Sequence, residues 1–272
     1  MKRIIFITML ILLHPALHAI DLHRIIGGSA VSMGRTGCCG HNVWSLQNNP
    51  AGIAMLEGWH CGLYYENQWL LKETALKCGT AVKAFPRFGS MGLLVEQFGG
   101  SQYNETLFGI AYARAFGPYL HLGLRIDYQL FHWGEGYPDR GALGFALGMQ
   151  SQLTKKLSIG ACLIQPIQRM KTLHEDKLPV TMRLGFAFQF TDDFSGHGEV
   201  EKSSEKTGVT LRSGFEYILF KKFFLRAGAQ YHPNVLSFGA GYALGDLQMD
   251  VSAEMHPVLG ASIQVGICYQ WK

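Results

Sequence analysis

ASIQVGICYQW, residues 261–271, sorts its side chains by twos. Ile263, Val265, Ile267, Tyr269 and Trp271 fall on one face, and Ser262, Gln264, Gly266, Cys268 and Gln270 on the other. A strand keeps two such sets apart, whereas a helix would scatter both around its circumference. The stretch before it repeats the pattern. Leu247, Met249, Val251, Ala253 and Met255 oppose Gln248, Asp250, Ser252, Glu254 and His256. Working backwards, similar alternation predicts strands near 235–245, 222–232, 208–219, 179–190, 156–165, 141–151, 119–131, 105–116, 88–98, 74–85 and 58–68, with a weaker one near 194–202.

That makes about 14 strands, an even number, as a closed antiparallel barrel of the outer-membrane kind requires. About 215 residues shared among them leaves roughly 15 per strand and connector, enough for a spanning strand of about 10 residues and a short link. The connectors differ by side. FHWGEGYPDRG (131–141) and QPIQRMKTLHEDKLP (165–179) belong to one set; RFG, FGP, LTKK, TDD, FKK and GD belong to the other. Long loops outside and short turns inside are the asymmetry of a bacterial barrel, and a soluble sandwich does not impose it. Aromatic residues near strand ends, among them Trp59, Trp69, Tyr112, Phe116, Tyr269 and Trp271, suit the two membrane interfaces. The expected fold is therefore all-β: an antiparallel transmembrane β-barrel over 57–272, with outer-membrane lipid against its apolar face.

Composition agrees. Only 16% of residues are charged, glycine supplies 33 of 272, and 48% are hydrophobic. A barrel accommodates this by spreading apolar residues singly along its strands. The chain opens MKRIIFITMLILLHPALHA, a basic start and an apolar run too short to span as a helix. Residues 1–19 read as a signal peptide cleaved near Ala19. Without Lys2 and Arg3 the 24 basic residues become 22 against 20 acidic ones, a balance of +2 that carries no nucleic-acid footprint. The six cysteines fit no zinc spacing and read mostly as small apolar residues. No G-x-S-x-G, H-E-x-x-H or Walker A motif is present, and His174-Glu175-Asp176-Lys177 lacks a second histidine. His232-Pro233 and His256-Pro257 share one rim, where proline ends a ladder more readily than histidine pairs bind metal. No catalytic activity, metal or cofactor is expected.

Residues 20–56 precede the first strand. They carry IIGGSAVSMGRTGCCG and then WSLQNNPAGIAMLEGW (44–59). Ile25, Ile26, Val31, Met33, Val43, Trp44 and Leu46 need burial, which a lumenal plug provides and a periplasmic tail does not. Asn49-Pro50-Ala51-Gly52 reads as the turn from plug to first strand. The strands also repeat glycine at one inward position: Gly62, Gly79, Gly123, Gly160, Gly185, Gly228, Gly241 and Gly266 belong to this series. Glycine in a strand marks a bend or a close approach, so the ring either curves the barrel or seats the plug.

Gly28, Met33-Gly34, Trp44-Ser45-Leu46 and Asn49-Pro50-Ala51-Gly52, followed by a first strand, resemble the FadL superfamily of outer-membrane barrels. The C-terminal runs 212–228 and 238–271 resemble, more narrowly, PorV/PorQ-type barrels associated with type IX secretion. The resemblance implies 14 strands and an N-terminal plug. Relatives carry acidic residues midway through the plug, where this chain has Gly40-His41-Asn42.

Two functions follow as expectations. The inward faces are read as charged, with His60, Glu66, Lys77, Lys83, Glu96, His121, Arg125, Asp127, Arg183, Arg212, Glu216, Arg226, Asp250 and Glu254. Such a lumen favours a closed, non-enzymatic scaffold whose partners are secretion or envelope-assembly proteins. The alternative is a FadL-like channel whose partner is a hydrophobic small molecule.

Overall fold

Alternation dictates a ladder, and the ladder closes on itself. The computed structural model describes residues 24–134, 136–165 and 179–271. The strands are β1 (Trp59–Asn67), β2 (Ala75–Phe85), β3 (Gly89–Gly99), β4 (Tyr103–Phe116), β5 (Leu120–Trp133), β6 (Arg140–Gln152) and β7 (Leu157–Ile164). They continue as β8 (Thr181–Thr191), β9 (Phe194–Ser203), β10 (Thr210–Leu219), β11 (Phe223–Tyr231), β12 (Val235–Leu244), β13 (Leu247–His256) and β14 (Gly260–Trp271). Each pairs antiparallel with its sequence neighbours, and β1 pairs with β14 to shut the barrel. No strand edge remains, so every ladder group in the wall has a partner without water, which is what a bilayer demands.

The outer face is apolar. On β14, Ile263, Val265, Ile267, Tyr269 and Trp271 point out, while Ser262, Gln264 and Gly266 are buried inside. The expected strand near 194–202 is β9, a full member of the wall. Its outward Gly196 and Gly198 are covered by the rings of Phe190, Phe215 and Phe186, which supply the apolar surface that the glycines lack. A register irregularity lies beside it, between Gln189 and Thr191.

One strand departs from the expected register. On β2, Leu76, Cys78, Thr80 and Val82 point inward, and Lys77, Gly79 and Lys83 point outward. Lys77, Lys83 and Gly79 are therefore not lumenal, as the sequence reading had them. β2 faces an apolar part of the interior, so the rule of polar inside and apolar outside inverts there.

Of the N-terminal region, residues 1–19 and 20–23 lie outside the described residues, as does His174-Glu175-Asp176-Lys177. From Arg24 the chain runs through two short helices, α1 (Gly28–Ser32) and α2 (Ser45–Asn48), and a 3-10 helix (Pro50–Met55) before β1. α1 packs on β11, β12, β13 and β14; α2 packs on β3; the 3-10 helix packs on β2, β3, β4, β5 and β6. This segment thus meets inner faces around much of the ring.

Candidate functional site: the barrel lumen

The segment holds its own shape first. Asn48 clasps Ile26, accepting from its N–H at 3.0 Å and donating to its carbonyl at 2.9 Å. Asn49 is extended, as a residue before proline must be, and its side chain accepts from Ala51 N at 3.2 Å to cap the 3-10 helix. Pro50 opens that helix, where its missing N–H costs nothing. The Asn49 amide also donates to the Cys38 carbonyl at 2.7 Å and to Met149 O of β6 at 3.2 Å. NPAG is thus a buried joint between segment and wall.

Charge fixes the segment on one side. The Arg35 guanidinium donates to Glu254 of β13 at 2.9 Å and to Glu66 of β1 at 2.5 Å, and also to the Ile25 carbonyl at 2.8 Å. Tyr64 donates to the same Glu66 at 2.8 Å. Glu199 of β9 accepts from the N–H groups of Gly37 and Cys38, both at 2.8 Å, while Arg212 holds its other oxygen at 3.0 Å. Arg183 and Arg212 share Glu201 at 2.7 and 3.0 Å. Arg226 bridges Glu216 and Asp250, each at 2.6 Å. On β5, Arg125 pairs with Asp127 at 2.8 Å and donates to the Leu46 and Gln47 carbonyls at 2.7 and 2.9 Å. Buried charges require such partners, because an unpaired one carries the whole desolvation cost.

Part of the wall is greasy. Ile26, Val31, Val43, Trp44, Leu46 and Ile53 of the segment form one apolar cluster with Tyr64, Leu76, Cys78, Val82, Leu94, Leu107, Ala111 and Ala113 of β1–β4. The lumen is therefore uneven: ion pairs dominate the half on β8–β14 and apolar side chains the half on β1–β4, where Glu66, Glu96 and Glu105 also point inward. Sequence reasoning saw the charged half and missed the apolar one. The signal was present in β2, where Leu76, Cys78 and Val82 alternate as cleanly as the lysines do.

Met33 lies over Gly214 and Gly228, and a Cβ on Gly228 would collide with the backbone of Met33 and Gly34. Gly34 takes a positive φ of 71° and donates to Ser237 of β12 at 2.8 Å. A Cβ on Gly28 would come within 2.5 Å of the Asp250 side chain; one on Gly52 would strike the Gly40 carbonyl. Trp44 stands 2.8 Å from the Cβ that Gly62 lacks, with its ring 5.8 Å from that of Tyr64. Cβ atoms on Gly123 and Gly160 would collide with the Pro50–Ala51 backbone and the Cys38 carbonyl, and one on Gly185 would lie 2.9 Å from Cys38 Cβ. A Cβ on Gly266 would sit more loosely, 3.5 Å from Gly28 N and from the Trp44 ring. Gly241 differs: its missing Cβ makes room for Asp250 and Arg226 rather than for the segment. His256 caps its own turn, its Nδ1 accepting from Val258 and Leu259 N–H at 3.1 and 3.0 Å.

Space remains at both ends. A cavity of about 560 Å³ opens among Arg24, Ile25, Trp69, Phe98, Pro179 and Val235 at the end carrying the longer loops. A second, of about 760 Å³, opens among His41, Val43, Met55, His60, His121 and Phe188 at the short-turn end. The segment lies between them.

These features define a class: a closed fourteen-strand antiparallel barrel with an apolar exterior and an N-terminal segment bound within. No protein-family profile and no curated protein sequence matches the chain. Solved structures do match its fold. The Ralstonia pickettii toluene transporter TbuX superposes with a TM-score of 0.67 at 15% identity, over 92% of this chain and 98% of that one. A Pseudomonas aeruginosa FadL homologue gives 0.71 at 12%, over 90% and 98%. The P. putida toluene transporter TodX gives 0.71 at 12%, over 91% and 98%. The chain's structural neighbours are thus FadL-family outer-membrane barrels. The narrower PorV/PorQ-type likeness, with its type IX secretion partners and scaffold role, is corrected by this finding, since the neighbours are transporters and channels.

Proposed function

We propose that the chain is an outer-membrane channel for small hydrophobic molecules, with residues 24–56 as its plug and residues 1–19 as the signal that directs it there. The observation that carries this is the segment's position between two cavities, one at each barrel end. The longer-loop end faces outside and the short-turn end faces the periplasm, as in bacterial barrels generally. The fold neighbours include transporters described for toluene, and the same class of solute is assigned here. The apolar half of the lumen supports that assignment. A solute moving past the segment would replace contacts of Ile26, Trp44 and Leu46 with its own, at small cost in apolar burial. The charged half holds the segment to the wall meanwhile.

The test is uptake. Cells expressing the chain in a host without its own hydrocarbon channel should take up radiolabelled toluene faster than cells carrying an empty vector. Leu46→Glu, which puts a carboxylate into the apolar half, should abolish the gain while the barrel still assembles. Uptake equal to the empty vector with a correctly inserted barrel would overturn the channel.

A further inference from the structure

Five arginines inside this barrel form ion pairs with carboxylates; a small basic group outside it does not. Lys83 points outward at the short-turn end of β2 and lies directly across from Trp59, with its ammonium 4.8 Å from the indole ring. Arg87 is exposed in the following turn. Arg114 points outward at the same end of β4, its guanidinium 5.8 Å from the Phe116 ring. A Cβ on Gly89 would lie 3.3 Å from Arg114 Cβ, so the β2–β3 turn and the end of β4 adjoin. Tyr112 fastens them by donating to the Phe88 carbonyl. Among the described residues, no carboxylate forms an ion pair with Lys83, Arg87 or Arg114, whereas Arg35, Arg125, Arg183, Arg212 and Arg226 all have one. Glu57 is the nearby acid in sequence; it is exposed and makes no ion pair with them. The other turn carboxylates, Asp192, Asp193 and Asp246, belong to the β8–β9 and β12–β13 turns, away from β2–β4.

Three unpaired cations on a lipid-facing surface, framed by Trp59, Tyr112 and Phe116, sit at the depth of the headgroups. Aromatic belts mark that depth, and long basic side chains reach it by laying their stems along the wall. We propose that Lys83, Arg87 and Arg114 form a binding site for the phosphate of an anionic phospholipid in the leaflet at the short-turn end. Arginine suits a phosphate because its planar fork donates in pairs, and lysine adds a point charge. The lipid would occupy the outside of β2–β4, the wall whose inner face forms the apolar half of the lumen.

The placement in that leaflet rests on the outer-membrane reading above; the site itself rests on the surface. The purified, delipidated barrel is titrated with phosphatidylglycerol or phosphatidylcholine vesicles and bound lipid is counted by native mass spectrometry. Phosphatidylglycerol should be retained preferentially. K83Q/R87Q/R114Q should weaken retention by roughly fivefold per cation removed. K221Q/K222Q, on the β10–β11 turn, should leave it unchanged. R87Q alone, a turn substitution outside the strand ladder, gives the same readout if the triple variant fails to assemble. Equal retention of the two lipids, equal loss in the control variant, or displacement by inorganic phosphate as readily as by lipid would overturn the site. Lost toluene uptake with lipid retention intact would count against the channel alone.

Discussion

Arg35 shows how much one side chain carries in this lumen. It joins the segment to β1 and β13, the two strands that flank β14, through Glu66 and Glu254. Arg35→Met leaves Glu66, fully buried, without its cation, and a broken buried pair costs about 3–5 kcal/mol. Unfolding in urea should shift accordingly, and protease should reach residues 24–56 sooner than in the native chain. An unchanged midpoint with unchanged protection would show that the pair is dispensable. Gly228 and Gly79 give a second contrast. A methyl on Gly228 meets backbone of Met33 and Gly34, which cannot move aside alone, while one on Gly79 meets only Leu63 at 3.8 Å. Gly228→Ala should loosen the segment, since overpacking typically costs about 1–3 kcal/mol, and Gly79→Ala should not. Limited proteolysis separates the outcomes: equal protection in both variants would mean that the glycine positions serve curvature.

At the scale of the strand, the pattern of twos was readable almost everywhere. The stretches expected near 235–245 and 222–232 became Val235–Leu244 and Phe223–Tyr231, because alternation there reports a lipid face against a polar one. β2 misled because its hydrophobic set packs into the apolar cluster inside the barrel, so that set turned inward and its lysines out. Periodicity finds the two faces of a strand; deciding which faces the lumen needs knowledge of what fills the lumen. The segment's joint at Asn49 was legible as a special backbone site, yet its contacts with β6 were not, since they bridge about a hundred residues. The register has a direct check on β14. Val265 faces out near mid-strand, so Val265→Arg should cost about 2–4 kcal/mol in a bilayer. Lys83→Val, at a strand end on the same lipid-facing side, should scarcely alter folding. Equal penalties in a refolding titration would refute the face assignment. Gln264→Arg is no neutral control, because Gln264 is fully buried and bonded to Glu254 and Ser252.

For the whole molecule, the wall and the segment are held by different forces, and that makes them separable. The wall is a ring of backbone hydrogen bonds with no free edge, so it should survive in detergent until boiled and run faster on a gel when unboiled. The segment is held by side chains: the Arg35 pairs, the Glu199 contacts and the apolar cluster on β1–β4. Removing residues 24–48 deletes those contacts and leaves the ladder intact. Charged side chains such as Glu199, Arg212 and Glu254 then face a watered lumen instead of the segment. In planar bilayers the full chain should pass little ionic current, and the shortened chain should pass a steady one. Both should keep the boiling-dependent shift in mobility. A full chain that already conducts as an open pore would remove the plug from the proposal. A shortened chain that stays silent while retaining its mobility shift would mean that wall side chains, not the segment, close the lumen, and toluene uptake by that variant would then be expected to match the native rate.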